Sequence, residues 1–300
     1  MESSPNPPVA TTGIDGLLAE MRPELHRYCA RMVGSVIDGE DVLQDALIKA
    51  VEAHASAGEI GNAIENPEGW LFRIAHNTAL DFLRRRQRQQ ALHVAEEVDL
   101  VPDQLDAVES RQIASASLRT FMRLPVAQRA SVILMDVLGC SLQEICEVME
   151  CSLPAAKAAL HRGRTQLRGF AEEPEHAPQP SLSDADRARL GAYVSHFNAR
   201  DFDAIRAMIA DDVRLELVSK TRLNGKAEVS RYFGNYANVT DWHLVPGLVE
   251  ERPAILVFDP NDLGAGPKYF MLLGWTAGKV ATIRDFRHAP YVIESATYLV

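Results

Sequence analysis

Between Leu17 and Ala53 apolar residues return every three or four positions, with Leu25, Tyr28, Cys29 and Met32 on one stripe and Val42, Leu43, Ala46, Leu47 and Ala50 on another. That period predicts two amphipathic helices separated by a break at Val36 to Gly39. A third pattern puts Trp70, Leu71, Ile74, Ala75, Thr78, Leu80, Phe82 and Leu83 in one helix that ends in an arginine run. Further on, Leu142, Ile145, Val148 and Met149 mark a short helix behind the breaker Gly139. Glu150, Cys151 and Ser152 then form a turn, Ser152 can cap the next helix, and Pro154 fits its first turn, so that helix begins near Leu153. On it Leu153, Ala156, Leu160 and Leu167 share a face, and Lys157, His161, Arg164 and Arg168 form a neighbouring stripe. Two short helices around a tight turn, the second cationic, have the form of a helix-turn-helix that lays its second helix in a major groove. An ordinary solvated amphipathic helix with cations toward its C-terminal end has the same pattern.

After Phe170 the pattern stops. AEEPEHAPQPSLSDAD carries three prolines among acidic and small residues and reads as a linker. Beyond it, Ala185 to Ala199, Phe202 to Ile209 and Gly225 to Phe233 have helical spacing. Val213 to Val218, Trp242 to Val249, Ala254 to Phe258, Tyr269 to Trp275 and Val280 to His288 read as strands. Helices followed by a run of antiparallel strands indicate an α+β domain, large enough for its own core.

The charge balance complicates a nucleic-acid reading. The chain has 31 basic and 41 acidic residues, net −10. Met1 to Phe170 has 17 basic and 23 acidic residues, net −6, so the first half is not basic either. Positive charge is local: Arg73, Arg84, Arg85, Arg86 and Arg88, then Lys157, Arg162, Arg164 and Arg168 in a stretch with no acid. Phosphate neutralisation supplies much of DNA affinity, so two small patches on an acidic chain bind weakly alone and need a larger machine to place them on DNA. The four cysteines, Cys29, Cys140, Cys146 and Cys151, form no Cys-x-x-Cys pair and read as cytosolic thiols. Cys146 and Cys151 flank the turn of the reading unit, which leaves a redox switch open. His26 and Cys29 are too few ligands for zinc, and no metal or cofactor is expected. MESSPNPPVATTG reads as a tail, and no long apolar span indicates a membrane.

The segments ENPEGWLFRIAHNTALDFLRRRQR and DGEDVLQDALIKA, together with the helix-turn-helix, resemble the bacterial extracytoplasmic-function sigma factors over Leu17 to Arg168. The resemblance implies two all-α sigma domains in a cytoplasmic initiation factor that binds core RNA polymerase and reads the −10 and −35 promoter elements. It implies contacts to the polymerase β′ clamp helices from Glu40, Asp41, Gln44 and Asp45, with the β flap as a second polymerase contact. Trp70, Asn77, Asp81, Arg84 and Arg85 would serve the −10 element, where opened bases need a stacking partner and the backbone needs cations. Lys157, His161, Arg162, Arg164 and Arg168 would serve the −35 element. Recognition helices of the family often carry Ser-Arg where this chain has Ala158 and Ala159, which would offer only methyl contacts. The acidic run ALHVAEEVDLVPDQLDAVES between the domains is a soluble linker, and the resemblance would thread it along the RNA path.

The order of elements after Ser183, with HFNARDFDAIRAMIADDVRLE, resembles the cone-shaped fold of SnoaL-type cyclases and ketosteroid isomerases. The Trp-Leu-Pro-Glu-Pro and Asp-Gly-Gly motifs of some sigma factors bearing such a domain are absent. Asp285, with Tyr193, Tyr232, Trp242, His243 and Arg287 as neighbours, is a weak catalytic candidate; a surface Asp285–Arg287 pair is the plainer reading, and strand alternation leaves its face open. The expected organisation is a tail at 1–13, sigma region 2 at 14–90, an acidic linker at 91–113, a region 4 helix-turn-helix at 114–170, a linker at 171–184 and a SnoaL-like domain at 185–300. A sigma factor regulated in cis, with or without a small-molecule ligand in its C-terminal domain, is the leading expectation. A bifunctional protein with an isomerase- or cyclase-like C-terminal enzyme and a dimeric helix-turn-helix repressor are the alternatives.

Overall fold

The computed structural model describes residues 14–57, 64–90, 117–171, 180–237 and 239–300. The expected tail and acidic linker lie outside the described residues. The chain divides into two compact units, Met1–Pro174 and Glu175–Val300.

The first unit is helical: α1 Ile14–Val33, α2 Val36–Ala57, α3 Pro67–Gln90, α4 Leu118–Met122, α5 Val126–Val132, α6 Leu142–Met149 and α7 Leu153–Ala171. The break between α1 and α2 falls at Gly34 and Ser35 rather than at Val36 to Gly39. Gly34 takes φ +80° and ends α1, while the Ser35 hydroxyl accepts from the Asp38 amide and starts α2 immediately. Gly39 is therefore inside α2, where the helix backbone lies on Ala30 of α1. The predicted stripes are buried: Leu25, Tyr28, Cys29 and Met32 from α1, Val42, Leu43, Ala46 and Ala50 from α2, Leu71, Ala75 and Leu83 from α3. They join one continuous core with Phe121, Leu124, Val132, Ile133, Leu134, Ile145, Val148, Ala156, Leu160 and Leu167. A π-helical turn, Ile133–Val137, extends α5.

The second unit comprises α8 Asp184–Asn198, α9 Phe202–Met208, β1 Ile209–Leu217, β2 Thr221–Asn224, α10 Lys226–Ala237, β3 His243–Val249, β4 Arg252–Phe258, β5 Tyr269–Thr276, β6 Lys279–Asp285, α11 Tyr291–Glu294 and β7 Tyr298–Leu299. The sheet order is β2-β1-β6-β5-β4-β3-β7. The strands are not all antiparallel, because β1 pairs parallel with β6. The chain leaves β1, runs through β2, α10 and the β3–β5 meander, and returns beside β1 in the same direction, a pairing no local pattern announces. Helix α8 packs on β3 and β4, and α10 on β1. Phe197 of α8 meets Phe202, Phe233, Tyr236 and Trp242 edge to face, with centroids 4.9 to 6.2 Å apart. Helices covering one mixed sheet around a single core make this the α+β cone anticipated from the sequence.

Candidate nucleic-acid interface

The reading unit is built as its sequence dictates. Ser141 opens α6 with a capping box: its hydroxyl accepts from the Glu144 amide (3.3 Å) and the Glu144 carboxylate accepts from the Ser141 amide (2.6 Å). These bonds hold the Glu144 carboxyl below its ordinary range. Helix α6 ends on Glu150 in the left-handed region (φ 50°, ψ 47°), and the Cys151 amide donates back to the Cys146 carbonyl. Ser152 then accepts from the Ala155 amide to start α7. Gly163 fixes how deeply α7 sits, since a Cβ there would meet Val132 Cγ2 at 2.7 Å and the Gln128 carbonyl oxygen at 3.1 Å.

That seating sorts the predicted −35 residues. Lys157 is exposed, and His161, Arg162 and Arg168 are half-buried. Arg164 does not stand free: its guanidinium makes a two-pronged bond to Asp136, whose side chain is 1% exposed. Two readings of α7 change. Leu153 is 46% exposed rather than part of the core face, because the Ser152 cap begins the helix outside the bundle. Ala159 is 6% exposed and packed inward, so of the two alanines only half-buried Ala158 has any outward surface.

On α3 the predicted −10 residues form one outward stripe: Asn77, Arg84 and Arg85 are exposed and Asp81 half-buried. Asp81 lies between Arg84 (3.2 Å) and Lys49 (3.7 Å). Trp70, half-buried at the start of α3, packs against the core and lines a groove with Asn66, Gly69, Arg73 and Glu147. Behind this stripe, buried His76 receives the Tyr28 hydroxyl at Nδ1 or donates to it (2.6 Å), and burial lowers its pKa to about 4.

The predicted polymerase face of α2 divides. Asp41 and Asp45 are exposed and Gln44 half-buried, but Glu40 is 1% exposed and pairs with Arg22 at 2.5 Å. Glu40 thus ties α2 to α1 and is not a surface contact. Farther along α2, Ile48 and Val51, 52% and 45% exposed, also face outward. His26 is sequestered as well: its Nε2 meets the Val36 carbonyl at 2.9 Å, and burial lowers it to about 4. Among the described residues no group of three His, Cys, Asp or Glu side chains is placed to hold a metal.

In the second unit Asp285 is fully buried, which excludes the surface-pair reading. Oδ2 accepts from the Tyr236 (2.7 Å) and Tyr232 (3.0 Å) hydroxyls, and Oδ1 accepts from the Arg287 amide (2.9 Å). Burial raises its pKa, and the three donors oppose that rise. The Arg287 guanidinium instead reaches Asp241 at 3.0 Å and lies over the Tyr236 ring. Tyr193 and Trp242 are in the same aromatic core, and their hydroxyl and indole N–H find no acceptor among the described residues. Tyr236 went unnoticed in the sequence because the helix was expected to end at Phe233.

Residues 17–89 match the Sigma-70 region 2 model and residues 118–167 the Sigma-70 region 4 model. SigM of Mycobacterium tuberculosis, an extracytoplasmic-function RNA polymerase sigma factor, is 33% identical over 155 residues, 51% of this chain and 74% of SigM. The chain belongs to the extracytoplasmic-function sigma factors. This sigma factor is also similar to SigE of Mycolicibacterium smegmatis, 30% identical over 162 residues that make up 52% of the chain and 60% of SigE, so it spans only about three fifths of that relative. The crystal structure of the Mycobacterium tuberculosis extracytoplasmic-function sigma factor SigJ aligns with 91% of this chain and 95% of its own at 19% identity, with a TM-score of 0.35.

Proposed function

We propose that this sigma factor joins core RNA polymerase, reads the −10 element with α3 and the −35 element with α7, and starts transcription under control of its C-terminal domain. The observation that supports this most is the pair of cationic surfaces, Arg84 and Arg85 beside exposed Asn77 on α3 and exposed Lys157 with half-buried Arg162 on α7, each within a segment matching a sigma model. Asp41, Gln44 and Asp45 of α2 would meet the β′ clamp helices and α7's domain the β flap. The reaction is non-enzymatic, and the protein would act in the cytoplasm; among the described residues no helix is long and apolar enough to cross a membrane.

The C-terminal domain acts as a regulatory module in this reading. Asp285 is closed to solvent and three donors already engage its two oxygens, which suits a carboxyl that holds the core together better than one that takes a proton from a reactant. The alternative, an isomerase- or cyclase-like enzyme, is favoured by the same raised carboxyl beside tyrosine donors. Run-off transcription from the promoter of its own gene, with core polymerase and either the full chain or a chain ending at Pro174, tests the proposal. A discrete start with the full chain is expected, and the ratio of the two forms gives the sign of control. Absence of any start with both, while the same core works with another sigma factor, overturns it.

A further inference from the structure

We propose that Cys146 and Cys151 are a modification site: a hydroperoxide joins them in a reversible disulfide that bridges the turn between α6 and α7 without moving the backbone. Both are free thiols in this structure, one on each side of that turn.

The helix end brings the pair together. Glu150, left-handed at φ 50°, folds the chain back on α6, and the Cys151 amide donates to the Cys146 carbonyl oxygen at 3.1 Å. The path from one Cα through the carbonyl oxygen and the amide nitrogen to the other Cα is then less than about 7 Å even if drawn straight. A disulfide takes Cα atoms about 4.4–6.8 Å apart, so the backbone is already placed for one. Residues joined by such a bond at a helix end commonly have their side chains in contact, and these two do. Burial raises the pKa of the Cys151 thiol, and so does Cys146, which lies beside it and shares a side-chain hydrogen bond with it.

Access distinguishes this pair from the other two cysteines. Cys146 and Cys151 are half-buried, and Glu147, Glu150, Ser152 and Leu153 around them are exposed, so a small oxidant reaches the sulfurs from solvent. Cys29 is 0% exposed, and burial holds its thiol far above the ordinary range. Cys140 precedes the Ser141 cap at the far end of α6, and burial together with Glu144 pushes its pKa up to about 11.

The step balances with a hydroperoxide as the oxidant. The Cys146 thiolate attacks a peroxide oxygen, the O–O bond breaks, and the departing oxygen takes a proton, which leaves a sulfenic acid on Cys146. The Cys151 sulfur gives up its proton and attacks the sulfenic sulfur, the S–O bond breaks, and water departs. The two thiols lose two electrons and the peroxide gains them. With its pKa raised, Cys151 is mostly protonated at neutral pH, so the pair responds to sustained exposure rather than to a brief pulse. The consequence is protection. A sulfenic acid with no second thiol goes on to sulfinic acid, which thiols do not reverse, whereas a disulfide is reduced again. A sulfinate on Cys146 would also set a charge against the helical core on which that residue packs, and the disulfide sets none.

The test exposes the reduced full chain to hydrogen peroxide for a prolonged period and blocks remaining thiols with N-ethylmaleimide under denaturing conditions. A glutamate-specific protease then cuts after Glu144, Glu147 and Glu150, which puts Cys140, Cys146 and Cys151 in separate peptides. Mass spectrometry should recover the Cys146 and Cys151 peptides joined, with Cys29 and Cys140 alkylated, and dithiothreitol should return both thiols. Cys146 joined to Cys140, joined to a second chain, or still alkylated when a free cysteine peptide in the same tube is fully oxidised, overturns the proposal. In Cys151→Ser the same exposure should drive Cys146 to sulfinic acid, and dithiothreitol should return at least fivefold less Cys146 thiol than in the natural chain; equal recovery overturns the protective role. Hydrogen exchange over residues 146–156 should be slower in the oxidised natural chain than in the reduced one, and faster exchange overturns a bridge made without backbone movement.

Discussion

Gly39 offers a sharp test of how α2 is held, because two effects of one methyl group have opposite signs. Gly39→Ala in a helix interior should stabilise by about 1 kcal/mol from propensity alone. In this chain the new Cβ would lie 2.6 Å from Ala30 Cα and 2.7 Å from Ala30 N. Carbon atoms pack at about 3.5–4.0 Å, so the α1 and α2 backbones must part by about 1 Å, and backbone cannot rotate aside as a side chain can. Overpacking of this kind costs about 1–3 kcal/mol and at times more, so the net expectation is a loss of up to about 2 kcal/mol where propensity alone gives a gain of about 1. Separation would also disturb the Arg22–Glu40 pair and shift Asp41, Gln44 and Asp45. Urea unfolding followed by far-ultraviolet circular dichroism, with hydrogen exchange on α1 and α2 peptides to assign the transition, reads the effect. Gly169→Ala is the control: that glycine is in α7, with nothing within 4 Å of its Cβ position, and should gain stability. Gly39→Ala gaining stability as Gly169→Ala does would refute the close helix crossing.

Other expectations follow from the same geometry. Arg164→Ala leaves the Asp136 carboxylate buried without its fork and should destabilise the helical unit by about 3–5 kcal/mol, whereas Arg162→Ala should change stability by less than about 0.5 kcal/mol while lowering the salt slope of promoter binding by about 1. Thermal melts combined with salt titrations of the polymerase–promoter complex separate the two, and equal stability losses would contradict the assignment. His26 and His76 have folded pKa values near 4, below the unfolded value, so their contribution is complete above about pH 6.5 and is lost as pH falls through 4. Each contributes at most about 3.5 kcal/mol at about 1.4 kcal/mol per unit, and His26→Gln should flatten the melting temperature against pH between 6.5 and 4; an unchanged slope would show that His26 is not sequestered. In the C-terminal unit Tyr236→Phe should cost about 1–2 kcal/mol by removing a donor from Asp285, while Tyr193→Phe, which removes a buried hydroxyl with no acceptor among the described residues, should be neutral or stabilising. Equal costs in chemical denaturation would show that the two hydroxyls are bonded alike.

Periodicity made the helices legible. The apolar stripes of α1, α2 and α3 are in the core, and α6 and the start of α7 fall at the residues the pattern indicated, because a Ser cap and a left-handed turn are local chemistry. What the pattern concealed was the partner of each charged group. Glu40 and Arg164 read as surface charges on amphipathic helices, yet each is held by a residue 18 or 28 positions away. Arg129 of α5 was invisible for the same reason, since the Met32 carbonyl it reaches is 97 positions earlier. Asp285 was recognisable as a candidate, but its inward face depends on the parallel β1–β6 pairing. Ser141-x-x-Glu144 is itself a local capping signature, legible without any knowledge of the fold.

The depth at which Gly163 sets α7 has a consequence for how such a factor changes its targets. Only one flank of the helix is available for variation. Ala156, Ala159, Leu160, Gly163 and Leu167 are committed to the interior, and Arg164 to Asp136. Exposed Lys157 and half-buried Ala158 and Arg162 are on the other flank. A library confined to those three positions should therefore retarget the chain to new promoters, and lineages that diverge in regulon should differ there first.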